Sequence, residues 1–99
     1  MIMRFEFRAE ALADLVWFRT YYTSTFPAGA QNARLNYKRA MAALQGHPLI
    51  GHLVSPDAPI REFVIPRIPF SFIYFVQGDR IIITRVLDNR AERPEELRL

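Results

Sequence analysis

Residues Arg61–Arg90, REFVIPRIPFSFIYFVQGDRIIITRVLDNR, set apolar runs between turn-forming residues and carry arginines at nearly every turn and strand end. Arg61–Ile65 reads as a strand, and Pro66-Arg67-Ile68-Pro69 ends it, because a proline cannot donate to a central ladder. Phe70–Gln77 is apolar on both faces, with Phe70, Phe72, Tyr74 and Val76 against Ile73 and Phe75, which places it inside the sheet. Gly78-Asp79 is a two-residue hairpin signal. Ile81–Leu87 therefore returns antiparallel, and Asp88-Asn89 stops it. The stretch predicts a three-stranded meander with a basic surface.

Working outward, Ile2–Phe7 sets Met3, Phe5 and Phe7 against Ile2, Arg4 and Glu6, the two-residue period of a first strand. From Arg8 the apolar spacing becomes helical through Leu12, Leu15, Val16, Phe18 and Tyr22, ending near Thr25. Glu10 and Asp14 sit in the early turns, where carboxylates complement the helix dipole. Pro27 then opens a second helix whose Ala30, Ala33, Tyr37, Ala40, Met41 and Leu44 share a face. Gln45–Pro59 holds Gly46, Pro48, Gly51, Pro56 and Pro59 and reads as a connecting loop. The tail after Ala91 is polar, with a short helix expected after Pro94. The expectation is one α+β domain over residues 1–99, an N-terminal strand and a two-helix hairpin packed on an antiparallel β-meander. Strand order stays open.

At 99 residues, with 51% hydrophobic and 23% charged residues, the chain has the composition of a folded globular domain with one modest core. Zero cysteines exclude disulfides and thiolate chemistry. No apolar stretch approaches the roughly 18–20 residues of a membrane span, so a cytoplasmic protein is expected. The net charge is +3, and of the 13 basic residues only Lys38 is lysine. Arginine favours planar, bidentate anions such as carboxylates and phosphates. No acidic residue falls between Asp14 and Asp57, so Arg19, Arg34, Lys38 and Arg39 make the helical hairpin locally basic, either as a solvated face or as a surface for an acidic partner.

Specific chemistry is sparse. His47 and His52 match no helical ligand pair and no cysteine joins them, so no metal is assigned. Ser55 and Ser71 lie in no nucleophile-elbow pattern, and neither a Walker loop nor GxGxxG occurs, so no cofactor is assigned. Arg85 is the most conspicuous single residue. Strict alternation places it beside Ile81, Ile83 and Leu87, where it needs solvent, a ligand or a carboxylate such as Glu62.

The order of elements, together with Ala11-Leu12-Ala13-Asp14-Leu15, Gly46-His47-Pro48 to Gly51, Arg61-Glu62-Phe63, Phe72-Ile73-Tyr74 and Arg85-Val86-Leu87-Asp88-Asn89-Arg90, resembles the RelE/ParE superfamily of toxins from type II toxin–antitoxin modules. That resemblance spans nearly the whole chain. It implies growth arrest, plasmid stabilisation in some modules, and a cognate antitoxin that wraps the toxin in a hetero-oligomer. RelE-like members cut messenger RNA on the ribosome, whereas ParE-like members inhibit DNA gyrase.

Ribosome-dependent members carry an arginine where this chain has Ser71, lysines at positions that align with Glu62 and Val64, and a tail tyrosine that is missing after Tyr74. These departures favour the ParE-like branch, a non-enzymatic inhibitor. Arg61 and Arg90 match the ParE-like pattern, and with Arg85 and Arg93 they are the candidate target contacts. Were the chain a nuclease, Arg67, Arg85, Arg90 and Arg93 would replace the missing set. A member that binds antitoxin without toxicity is the third reading. For the antitoxin, Trp17, Phe18, Tyr21, Arg34, Lys38 and Leu97 are the expected contacts, with Leu99 a second apolar tail residue.

Overall fold

A computed structural model describes residues 2–97. Strand β1 (Arg4–Phe7) leads into helix α1 (Ala9–Thr20), which continues through a π-helical turn at Tyr21–Thr25. A 3-10 turn at Pro27–Gly29 opens α2 (Ala30–Gly46), and β2 (His52–Ser55), β3 (Ala58–Val64), β4 (Phe70–Gln77) and β5 (Arg80–Asp88) follow. A last 3-10 turn spans Glu95–Leu97. The five-stranded sheet has the order β1-β5-β4-β3-β2, with β1 parallel to β5 and every other pair antiparallel. The α+β architecture and the meander are therefore as expected, and β4 is central.

Gly78, at φ 61°, makes the β4–β5 turn, and the Pro66–Pro69 corner forces Arg67 to φ 71°. That conformation strains any residue with a Cβ. The expected loop Gln45–Pro59 is only partly a loop. His52 pairs with Glu62, Leu53 with Arg61 and Ser55 with Ala58, so a fifth strand forms despite the prolines. Pro56 lies in the turn, and Pro59 falls where the register shifts between Leu53 and Ser55 and no regular ladder bond is required.

The rest of that segment is pinned to the sheet. Tyr74 Oη accepts the Gly51 N–H at 2.9 Å, and Arg61 Nη1 donates to the Gly51 carbonyl at 2.7 Å and to that of Leu49 at 3.2 Å. A Cβ at position 51 would stand 2.7 Å from the Glu62 carbonyl oxygen, so only glycine lets the chain approach this closely.

On the helix-covered face of the sheet, Phe70, Phe72, Tyr74, Ile81, Ile83 and Val86 meet Ala11, Tyr22, Ala33, Ala40 and Leu44, all buried. The face of α2 is the expected one. That of α1 is rotated: Leu12 and Val16 remain 53% and 67% exposed, while Ala11 and Tyr22 are buried and Leu15 and Phe18 pack on the core. Asp14 sets this rotation. β1 covers β5 only as far as Ile83, and beyond it the Asp14 carboxylate takes the free Val86 N–H at 2.9 Å.

A bulge corrects the placement of Arg85. Ile73 pairs with Arg85 but Tyr74 pairs with Ile83, so Thr84 is an extra residue and donates through Oγ1 to the Ile73 carbonyl at 3.1 Å. Val86 then joins Ile81 and Ile83 on the core face, while Arg85 and Leu87 share the opposite one. Among the ion pairs of the sheet, Glu62 is taken by Arg93, and Arg85 binds Asp14, through Nε at 2.7 Å and Nη2 at 3.0 Å.

Candidate functional site

The candidate residues concentrate where α1, the start of β4, the end of β5 and the tail meet. Asp88 organises this corner. Its carboxylate accepts Trp17 Nε1 at 3.1 Å, the Arg90 backbone N–H at 3.0 Å, and Arg90 Nε and Nη2 at 2.9 and 2.8 Å. The Arg90 guanidinium also lies 3.9 Å from the centre of the Tyr21 ring and 5.6 Å from that of Phe70. Charge-assisted bonds and a cation–π contact thus fix one arginine in one geometry. Burial pushes the Asp88 carboxyl up, but the hydrogen bonds from Arg90 and Trp17 outweigh it and hold the group below its ordinary value. The bond to Asp88 raises Arg90 further above its own.

A second clasp lies on the opposite face of the sheet. Glu62, 5% exposed, receives Arg93 bidentately, with Nη1 on Oε1 at 2.9 Å and Nη2 on Oε2, and accepts a hydrogen bond from the Ser71 hydroxyl. Asn89 Nδ2 donates to Ser71 Oγ at 2.9 Å, and Arg93 Nη2 reaches Asn89 Oδ1 at 3.3 Å. Burial raises the Glu62 carboxyl and Arg93 with Ser71 more than reverses it, so it too titrates below the ordinary range. His52 Nε2 stands 3.7 Å from the same carboxylate.

Carboxylates with depressed pKa stabilise the fold fully above their unfolded values, and that contribution is lost as pH falls through the lower folded ones. Both clasps should therefore hold from neutral pH to about 4.5 and fail progressively below about 4. An acid titration of Trp17 fluorescence is expected to show this limb. Asp88→Asn should flatten it, and an identical profile in that variant would rule out the Asp88 contribution.

Arg85, Arg90 and Arg93 are therefore neighbours at one end of β5, and Arg85, Arg93, Trp17 and Asp88 line a shallow cavity of about 210 Å³ under the tail. Arg61 stands apart, holding the loop on β3, and Arg67 projects from the exposed corner turn. Among the expected antitoxin contacts, Trp17 and Tyr21 belong to the Arg90 corner. Phe18 and Arg34 instead line a groove of about 290 Å³ between α1 and α2, with Arg19, Tyr22, Ala33 and Tyr37. Lys38 is exposed one turn beyond Arg34. Leu97 is half-buried in the tail, its N–H on the Pro94 carbonyl at 2.9 Å, and Leu99 lies outside the described residues.

The clasping carboxylates Asp14, Glu62 and Asp88 escaped the sequence reading as site residues. Asp14 and Glu62 hold arginines 71 and 31 positions away, which no local spacing announces, and although Asp88 and Arg90 are two residues apart, Trp17 joins them from 71 positions away.

Among the described residues no three His, Asp or Glu side chains gather as a metal-binding set, and no helix is long and apolar enough to cross a membrane. Comparison with known proteins gives a consistent result. The family model for the ParE toxin of the type II toxin–antitoxin system parDE matches residues 5–92. A solved structure of the chromosomal ParDE TA system from P. aeruginosa aligns with a TM-score of 0.65 and 25% identity, covering 86% of this chain and 94% of that one. No curated protein sequence matches.

Proposed function

The chain belongs to the family of ParE toxins of type II toxin–antitoxin systems, and from that membership we propose that it arrests growth by inhibiting DNA gyrase in the cytoplasm until a cognate antitoxin covers it. The observation that carries this reading is the family match over residues 5–92. The local chemistry supports it. Arg85, Arg90 and Arg93 are each engaged by a carboxylate, an arrangement suited to presenting a fixed surface to a protein. A nuclease would need such groups to turn toward a scissile phosphate. Ser71 is wholly buried under Asn89, out of reach of any substrate.

Within this reading Arg90 and Arg93 meet the target, Arg85 orients α1 against β5, and Arg61 fixes the loop that borders β3. The purified chain should inhibit gyrase supercoiling of a relaxed plasmid, and induction should produce supercoiling defects and DNA-damage signalling with messages intact. Arg90→Ala is expected to raise the inhibitory concentration by about tenfold, the loss of one charge-assisted contact. Codon-positioned cleavage of messages on ribosomes would replace this reading with the nuclease one. Absence of any arrest at full expression would leave an antitoxin-binding domain only.

A further inference from the structure

The corner between β3 and β4 places an arginine where the backbone disfavours one. Among the described residues Arg67 is the one non-glycine with a positive φ, 71°, a conformation that glycine and, less readily, asparagine or aspartate adopt in its stead. The surroundings leave it no easier turn. Pro66 and Pro69 have fixed φ, and Ile65 and Ile68 are buried in the core on either side of Arg67. The Ile65 N–H bonds the Phe70 carbonyl at 2.9 Å, and the Asn89 N–H bonds that of Pro69 at 2.8 Å. The second of these bonds ties the corner to the turn that carries Arg90.

Arg67 also differs from the arginines around it. Arg80, Arg85, Arg90 and Arg93 each engage a carboxylate, and Arg61 engages two carbonyls. Arg67 is exposed, and among the described residues its guanidinium has no hydrogen-bond or ion-pair partner. No intrachain contact of the charged group therefore offsets the strain, and strain of that kind points to a role outside the chain.

We propose that Arg67 is a preformed anchor of the target interface, its guanidinium meeting a carboxylate of the inhibited protein bidentately beside Arg90. The assignment rests on the reading above that the chain inhibits a protein target, and it adds a contact and its chemistry. Three observations select a protein carboxylate. A nucleic-acid backbone is held by several unmatched cations along one track, whereas Arg90 and Arg93, the basic residues beyond Asn89, are already engaged by Asp88 and Glu62. Exposed Val64 and Pro66 give the cation an apolar rim, the setting of an arginine hot spot between proteins, where such a rim excludes water. The pinned corner leaves only side-chain freedom to be lost on binding, which lowers the ordering cost of the contact.

The test follows inhibition of gyrase supercoiling and thermal unfolding in parallel, on the full chain. Arg67→Asn and Arg67→Gly both suit the positive φ and remove the guanidinium. Each should unfold at the wild-type midpoint or up to about 5 °C above it, while the inhibitory concentration rises at least about tenfold. Kept or raised stability with lost inhibition marks a residue retained for contact rather than for folding. The control Arg39→Gln removes the same charge from an exposed position on α2 and should shift inhibition less than about twofold. Inhibition within about twofold of wild type in both corner variants, with Arg90→Ala impaired, overturns the anchor while leaving the target reading intact. A midpoint lowered by more than about 5 °C in both would make Arg67 a structural residue and overturn it equally. No inhibition by the wild-type chain removes the target reading and the anchor with it. Binding of a duplex of about 20 base pairs by the chain alone, lost in Arg67→Asn, would assign the guanidinium to a phosphate and overturn the carboxylate contact.

Discussion

Replacing Phe70 by alanine is expected to lower the unfolding free energy by about 3–5 kcal/mol, the range for deleting a buried aromatic ring. Phe70 is fully buried, and its ring centre lies 4.9 Å from that of Phe18, 6.0 Å from Tyr22 and 6.3 Å from Tyr21. The C-terminal half of α1 and the turn after it rest on this ring through Phe18, Tyr21 and Tyr22. The cavity left behind would border rings already held edge-on to one another, and these cannot collapse into it without breaking their own contacts.

Such a loss is a large part of the ~5–15 kcal/mol that stabilises a domain. Tyr21 should also shift, loosening the platform under Arg90, so target inhibition should fall along with stability. Val64→Ala, at a position 49% exposed, provides the contrast and should change stability by less than about 1 kcal/mol. Urea unfolding followed by Trp17 fluorescence measures both. A Phe70→Ala loss under about 1 kcal/mol would mean the ring does not bridge helix and sheet as described.

Asp14→Ala should be nearly as damaging, at about 2–4 kcal/mol, because one substitution strips three donors of their acceptor. Arg85 Nε and Nη2 lose their partner, and so does the Val86 N–H beyond the end of β1. The pair is 30% and 17% exposed at its arginine and aspartate side chains, so water relieves part of the cost and the figure sits below that of a fully buried pair.

Arg85→Ala should be milder, since Asp14 keeps the Val86 N–H. A double-mutant cycle between the two positions should give a coupling of about 1–2 kcal/mol, and additive losses would show that the ion pair does not couple helix to strand. Hydrogen exchange at Val86 offers an independent readout. Protection there should drop in Asp14→Ala and persist in Arg85→Ala.

Much of this architecture is legible without coordinates. The apolar runs Phe70–Gln77 and Ile81–Leu87, the Gly78-Asp79 turn and the Pro66–Pro69 corner specify the meander, because strand and turn conformations depend on residues within a few positions of one another. The alanine-rich face of α2 and the opening proline at position 27 were equally local. Reading α1 failed for Leu12 and Val16, since a helix with apolar residues on several sides gives no unique inward face. Asp14, bonded to a strand 71 and 72 residues further along the chain, chose one.

The candidate site divides the same way. That arginines gather near the end of β5 is written in the sequence, but their restraint is not. Asp88 and Arg90 are two residues apart, yet Trp17 and Tyr21 join them from α1; Arg93 finds Glu62 across 31 positions. The sequence by itself determined the elements, their turns and a net basic charge, all of which follow from neighbour-scale sterics and periodicity. Only the tertiary structure decided that β1 lies parallel beside β5, that His52–Ser55 becomes an edge strand, that a bulge at Thr84 turns Arg85 away from the core, and which cations remain unpaired. Those outcomes depend on hydrogen bonds and ion pairs between residues distant along the chain, and such contacts exist only once the chain has closed on itself.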